Sequence, residues 1–518
     1  MATFTRLPRF LRKLAMTLNT RFNVALDTMY ALKKLVKSSF FRKLVRARFG
    51  FIFSLSILLS SCMVPPELGP KIEPRKDLVM YKGQGKNEFI YPEQDWWKLY
   101  KDPQLNTLIE EGLANSPSIL EAVARIQKAN AIAIVAGASL LPSASVDGAV
   151  SKYRQSYNMG VPPAFVPKGF RGTARVSANF EYELDFWGKN SDVLIAAVSD
   201  VEAAKLMLAQ AKIILSTAIA EFYANLAQYY AELDVAVETV SVRAQTFELF
   251  EKRCKNGLEN ESTVEQARSN LAAAEADLAL IEETISLTRN SLAALIGATP
   301  LRALKIERPN LANITSFGVP SIIPADLISR RPDVIAAELT LKSVASQINI
   351  AEAGYYPNIN LTGYIGHQSL GLDTFMKSSS LIGSLGPAIH LPIFDKKRVE
   401  SQYLLSRAEY DASLAAYESA IVQALREVAD AITSHRALDV RTSKTTAAIN
   451  AAERAYKISR GRYDGGLSTY LDVLRAEDNL IVNRRAMAQI KARAFILDVA
   501  LIKALGGGFR PMDEGKTQ

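Results

Sequence analysis

Residues 253–258 read Arg253-Cys254-Lys255-Asn256-Gly257-Leu258, and 209 positions later the chain reads Arg462-Tyr463-Asp464-Gly465-Gly466-Leu467. Each hexapeptide marks the end of a stretch of 68 residues with neither Gly nor Pro, Lys189–Asn256 and Ile393–Arg460. Each also opens a second such stretch of 39 residues, 258–296 and 467–505, ended by Gly297 and Gly506. Gly and Pro are the strongest helix interrupters, and these stretches are rich in Ala, Leu, Glu, Gln and Arg, which favour helix. The pattern predicts two helical hairpins, each a long helix, a glycine turn and a shorter helix, produced by tandem duplication. A helix of about 65 residues is about 100 Å long at 1.5 Å per residue. That length suits a tube, stalk or bridge rather than a globular core.

In the first shorter helix, Leu271, Ala274, Leu278, Ile281, Ile285, Thr288, Leu292 and Leu295 recur with 3-4 spacing, the seam of a coiled coil. The same register in the second copy falls on Leu480, Asn483, Met487, Ile490, Ala494, Leu497, Leu501 and Ala504. Because the glycine turns return the chain at Gly257 and Gly466, both tips are expected at one end of the molecule.

A different period precedes each long helix. Between Gly172 and Phe186, the residues Ala174, Val176, Ala178, Phe180, Tyr182, Leu184 and Phe186 alternate with mostly polar ones, the period-2 mark of a strand. A weaker strand is expected over 143–154, and the second copy offers Asn358–Gln368 and roughly Gly383–Ile393. Strands of about ten residues are long enough to cross a bilayer obliquely. Four strands are too few to close a barrel, for which about eight is the minimum. The alternatives are a small soluble sheet or one barrel shared between several chains. The secretion signal and the long helices favour the shared barrel.

The N-terminus supplies that signal. Lys33, Lys34, Lys37, Arg42, Lys43, Arg46 and Arg48 precede the apolar run Phe51–Leu59, and Leu59-Ser60-Ser61-Cys62 follows. A basic region, a short apolar core and small residues make a secretory signal over 1–61. The last four residues resemble a bacterial lipobox, which implies a lipid on Cys62 as the mature N-terminus. The leader is long for its type, and Met29 is a candidate start. No other stretch reaches about 18 uninterrupted apolar residues, so no membrane helix is expected in the body.

Composition removes other classes. The formal charge of +9 is concentrated at the start, where residues 1–62 hold 12 Lys/Arg and one acid, Asp27. The remaining chain has 50 basic and 52 acidic residues, no field for a nucleic acid. Two cysteines, Cys62 and Cys254, cannot build a disulfide scaffold, and three histidines leave little for a metal centre. Gly-x-Ser-x-Gly, His-Glu-x-x-His and P-loop patterns are missing from the sequence, so an enzyme is not expected, nor a cofactor beyond the lipid.

Five segments in order resemble the TolC/OprM superfamily of outer-membrane efflux channels, in particular its NodT-like lipoprotein branch. They are Asp95-Trp96-Trp97 to Leu105, Glu183-Leu184-Asp185-Phe186-Trp187-Gly188-Lys189, Arg330-Arg331-Pro332-Asp333-Val334, Leu391-Pro392-Ile393-Phe394 and Arg426-Glu427-Val428-Ala429-Asp430. The resemblance implies a mixed α/β membrane protein: a homotrimer whose twelve strands, four per chain, form one outer-membrane barrel continued by a periplasmic helical barrel. It divides the chain into the signal (1–61), an anchor and equatorial segment (62–117), a first repeat (118–297), an equatorial linker (298–331), a second repeat (332–506) and a tail (507–518). The implied partners are a periplasmic adaptor, an inner-membrane RND pump and outer-membrane lipid. The implied cargo is drugs or other small toxic compounds. Type I protein secretion with an ABC transporter is the alternative, and a scaffold lipoprotein without a channel is a weaker one.

The implied pore gate lies just past the second tip, at Leu471, Asp472, Arg475 and Asp478. Leu471 matches a family leucine that forms an apolar ring. Arg475 stands where relatives often carry Asp, and Asp478 where some carry Arg, so the charge order is exchanged. Residues 471, 475 and 478 share one helix face by spacing. The first hairpin offers the uncharged Ser262, Gln266 and Ser269 at the equivalent positions. Adaptor docking is implied at the tips themselves, Gly257, Leu258, Gly465, Gly466 and Leu467. Gly257, Gly465 and Gly466 suit the left-handed turn positions that close helices.

Overall fold

The computed structural model describes Pro66 and residues 69–75, 91–158, 160–310, 330–392 and 394–510. The signal segment, Cys62, part of the equatorial linker and most of the tail lie outside these residues. The elements are α1 (Pro103–Asn115), α2 (Pro117–Ala138), β1 (Ser143–Tyr153), β2 (Arg171–Glu183), α3 (Lys189–Lys255), α4 (Glu261–Leu295), α5 (Pro332–Ala353), β3 (Asn358–Leu370), β4 (Leu381–His390), α6 (Lys396–Asp464) and α7 (Tyr470–Ala504). The Gly- and Pro-free runs have become α3 with α4 and α6 with α7. The chain divides into two compact units, and these cut across the repeats rather than following them. Among the described residues, one gathers Ile132–Ala197 and Val344–Tyr410 with Pro66 and residues 69–71; the other gathers the rest.

The first unit holds all four strands in one antiparallel sheet of order β1-β2-β3-β4. Val146 pairs with Ala178, Ala178 with Ile365, and Ile365 with Gly383. Strand side chains alternate between faces, so this register sorts the sheet cleanly. One face carries Val146, Val150, Val176, Phe180, Ile365, Leu385 and Ile389, all exposed. The other carries Asp147, Arg175, Asn179, Glu181, Asn360 and Thr362. The strands approach most closely at Gly366, where a Cβ would stand 2.1 Å from the Val176 carbonyl oxygen, so only glycine fits. In the same unit Arg407 of α6 donates to the carbonyls of Gly69 (3.2 Å) and Pro70 (3.1 Å), tying the N-terminal segment to that helix.

The second unit is helical. Its main core joins Trp96, Trp97 and Tyr100 to Leu105, Leu108 and Ile109 of α1, to Leu215, Ile219 and Tyr223 of α3, to Ile285 and Leu292 of α4, and to Phe495 and Val499 of α7. The α4 seam faces inward as its spacing predicts, with Ile281, Ile285, Thr288 and Leu292 buried. Two hydrogen bonds, one buried and one part-buried, tie polar atoms into this core. Tyr100 donates to Asp498 at 2.6 Å, and Tyr223 donates to Asp102 at 2.7 Å. Asp102 also caps α1, accepting from the amides of Gln104 and Leu105. Arg331, 3% exposed, is held by Asp333 (2.6 Å) and Glu427 (2.7 Å) and donates to the Ala504 carbonyl.

One helix bears on the expectation that the body has no membrane helix. Helix α3 contains an 18-residue window that is long and apolar enough to cross a membrane by length and composition. It meets that test without an uninterrupted apolar run because a mean over the window tolerates an occasional polar residue. The same helix supplies Leu215, Ile219, Ala220, Tyr223, Ala224 and Leu226 to the core just described.

Candidate functional site

The two hairpin tips are built alike. The Gly257 amide donates to Cys254 and the Leu258 amide to Arg253; at the second tip Gly466 donates to Tyr463 and Leu467 to Arg462. This paired bonding ends a helix through a left-handed residue, and Gly257 (φ 71°) and Gly466 (φ 73°) are that residue. Gly465, expected to share the conformation, is not among the positive-φ glycines, because the motif needs one left-handed position only. Leu258 and Leu467 project at the tips, 67% and 72% exposed. Asn260 caps α4 through the Thr263 amide at 2.9 Å. Thr469 caps α7 in a reciprocal arrangement with Asp472.

The tips also pack on each other. Phe250, Val264 and Ala267 of the first hairpin form a small core with Cys254, Tyr463 and Tyr470. Tyr470 meets Phe250 edge-on at 4.6 Å and donates to Thr246 Oγ1 at 2.9 Å. Its burial pushes the phenol up to about 12. Arg253 donates to the Tyr463 hydroxyl at 3.4 Å. Cys254 is a free thiol packed in this cluster.

Just beyond lie the residues expected to form the gate. Leu471, Arg475 and Asp478 are all exposed on one face of α7, and Val482, one turn further, extends it with 64% exposure. Arg475 makes no ion pair with a described residue. Asp472 points its carboxylate into the Thr469 cap, accepting from the Thr469 amide (3.1 Å) and hydroxyl (2.9 Å). Asp478 pairs not with Arg475 but with Arg243 of α3, at 2.7 Å. Arg243 is itself buried, and its Nε stands 3.6 Å from the buried Glu477. Sequence reasoning missed Arg243 and Glu477, since the two are more than 200 residues apart and no local spacing links them. Further along, Arg484 of α7 reaches Glu238 of α3 at 2.6 Å, and Arg485 pairs with Asp277 of α4. Charged and polar ties thus join the first hairpin to the second along α7.

In the first unit, exposed aromatics bracket the apolar sheet face. Phe186, Trp187, Tyr356 and Phe394 lie where strands meet helices, and Phe165, Phe170 and Met376 lie in the loops at the far ends. Trp187 stacks on Tyr356 at 4.6 Å and donates to the Pro357 carbonyl at 2.9 Å. Along β2, Ala174 to Tyr182 cover about 26 Å at 3.3 Å per residue. Tilted about 35–45° as barrel strands are, that length spans about 19–22 Å of an outer-membrane barrel's roughly 25 Å apolar band, which aromatic girdles flank. Among the described residues no group of three or more His, Cys, Asp or Glu is placed to hold a metal ion.

Known proteins resemble this arrangement over most of its length. The family model described as outer membrane efflux protein matches residues 108–298 and 323–507, one segment for each repeat. The pyoverdine export outer membrane protein OpmQ of Pseudomonas putida is 28% identical over 463 residues, 88% of this chain and 96% of that protein. The multidrug resistance outer membrane protein MdtP of Escherichia coli O6:H1 is 26% identical, covering 81% and 87%. Among solved structures, the outer membrane protein VceC of Vibrio cholerae superposes with a TM-score of 0.74 at 42% identity, covering 81% of this chain and 100% of that one. The fold is also that of the CmeC outer membrane channel of Campylobacter jejuni, with a TM-score of 0.79 at 23% identity over 88% of this chain and 96% of that one.

Proposed function

This chain belongs to the outer membrane efflux protein family, and from that premise we propose that three copies assemble one passive channel through the outer membrane. The observation that carries the reading is the sheet. It has an apolar exposed face, a polar opposite face and two edges, β1 and β4, that no strand pairs with among the described residues. An even number of alternating strands lets β4 of one copy meet β1 of the next in antiparallel fashion, so the pattern repeats without a break. Closure removes the edges that a lone sheet would leave open. Three copies give a closed barrel with its apolar face to lipid and its polar face to water. The helical hairpins supply the periplasmic part of the passage, and the tie between Arg243 and Asp478 holds it narrow.

The cargo is small molecules, delivered by an inner-membrane RND pump through a periplasmic adaptor that docks at the exposed tips. The names of the relatives, concerned with pyoverdine export and multidrug resistance, support small-molecule export over protein secretion. Insertion of the purified full chain into a planar lipid bilayer is expected to give stepwise conductance, and cross-linking in cells a trimer. A monomer without conductance defeats the channel. Co-purification with an ABC transporter instead of a proton-driven pump moves the function to secretion.

Cys62 anchors each copy by lipid. Its support is the Leu59-Ser60-Ser61-Cys62 sequence and the placement of Gly69, which Arg407 holds on α6, the helix that leaves β4. Six residues lie between Cys62 and Gly69, and seven Cα-to-Cα steps span at most about 25 Å. Cys62→Ala is expected to abolish labelling by radioactive palmitate, and label persisting in the variant removes the anchor.

A further inference from the structure

Glu477 adjoins Asp478 on α7 yet points into the protein, 5% exposed. Its Oε1 stands 3.6 Å from the Arg243 Nε, an ion-pair distance rather than a hydrogen bond. Its Oε2 is buried and meets no hydrogen-bond partner among the described residues. Glu477 lines a cavity of about 30 Å³ together with Glu238 and Thr239 of α3, Tyr456 of α6 and Arg484 of α7. No nearby cation gives Glu477 Oε2 a hydrogen bond. Arg243 makes its short bond to Asp478. Arg484 binds Glu238 at 2.6 Å and Glu453 of α6 at 3.5 Å. Arg460 of α6 donates to Tyr456. A carboxylate buried without hydrogen bonds is unfavourable, whereas the protonated acid tolerates the site.

We propose that Glu477 is a proton-operated latch between the hairpins: the acid form lets α7 pack on α3 and α6, and the ionised form drives them apart. The proposal rests on the channel reading and concerns regulation of the same tips. The charged groups around Glu477 fix the sign. Burial dominates and raises its carboxyl above the ordinary carboxylate value; Asp478 and Glu238 push the same way, while Arg243 and Arg460 pull it down. A group raised in the packed state and ordinary in the parted, water-exposed state favours packing fully below the ordinary value. That advantage is lost as pH rises through the raised value. Each unit of separation between the two values changes the ratio of packed to parted hairpins about tenfold.

The test is open probability of the full-length channel in planar bilayers between about pH 4 and about pH 8. Expected for the wild type is an opening that increases with rising pH, and for Glu477→Gln a channel held at its acid level throughout. A wild-type profile that is flat, or one reproduced unchanged by Glu477→Gln, overturns the latch while leaving the channel intact. A wild type that conducts at no pH overturns the channel reading instead. Hydrogen exchange of the wild-type amides over 470–481, corrected for the intrinsic effect of pH, then decides the latch alone, and decides it also where the Gln variant fails to assemble. Protection must fall as pH rises; constant protection overturns it.

Discussion

At the residue scale the decisive group is Arg243. It sits on the first long helix and answers two acids of the second hairpin, Asp478 at 2.7 Å and Glu477 at 3.6 Å. The acids differ in surroundings: the Asp478 side chain is 67% exposed and the Glu477 side chain 7%. Removing Arg243 breaks the tie to Asp478 and empties a buried position beside Glu477. Arg243→Ala is therefore expected to raise basal current in planar bilayers and to lower thermal stability. Asp478→Ala and Arg475→Ala are expected to alter the current more than Ser262→Ala, which lies on an exposed, uncharged position of α4. Equal currents in all of these variants remove the gate from this face. The exchanged order of Arg475 and Asp478 is legible in the sequence, but its consequence is not. Only the fold shows that Asp478 is tied to α3 while Arg475 makes no ion pair with a described residue.

At the scale of elements, the glycine turns and the helix faces follow from local physics. Gly257 and Gly466 hold the same left-handed conformation and the same pair of backbone bonds. Placing a Cβ there costs about 1 kcal/mol or more. Gly466→Ala is expected to lower the melting temperature by a few degrees, whereas Gly465→Ala, outside the left-handed region, is expected to leave it nearly unchanged; the reverse order in thermal unfolding contradicts the turn geometry. The sheet makes a second argument at this scale. Ile365 lies on the apolar face and Thr362 on the polar face of the same strand. Ile365→Arg is expected to cost about 2–4 kcal/mol in the bilayer and to deplete the protein from outer-membrane fractions. Thr362→Arg, opposite Glu181 across the pair, is expected to be tolerated. Equal membrane levels for the two variants deny that this face meets lipid.

At the scale of the whole molecule, a single chain presents an incomplete object. Its sheet ends in two open edges, and its apolar sheet face is exposed rather than buried. Assembly is the physical remedy for both, because pairing satisfies edge amides and carbonyls and a lipid surface accepts the apolar face. The sequence by itself determined what repeats and what alternates. Gly- and Pro-free runs set the helices, period-2 segments set the strands, and the 209-residue offset set the duplication, since all three depend on neighbours in the chain. Tertiary structure alone decided that the compact units cross the repeats, with strands of both copies sharing one sheet. It also decided that Arg243 lies against Glu477 and Asp478, that Asp472 caps its own helix, and that one Glu477 oxygen meets no partner among the described residues. The reason is physical. Backbone propensity and periodicity act over a few residues, whereas an ion pair or an orphaned buried atom depends on which distant segments packing brings within a few ångströms.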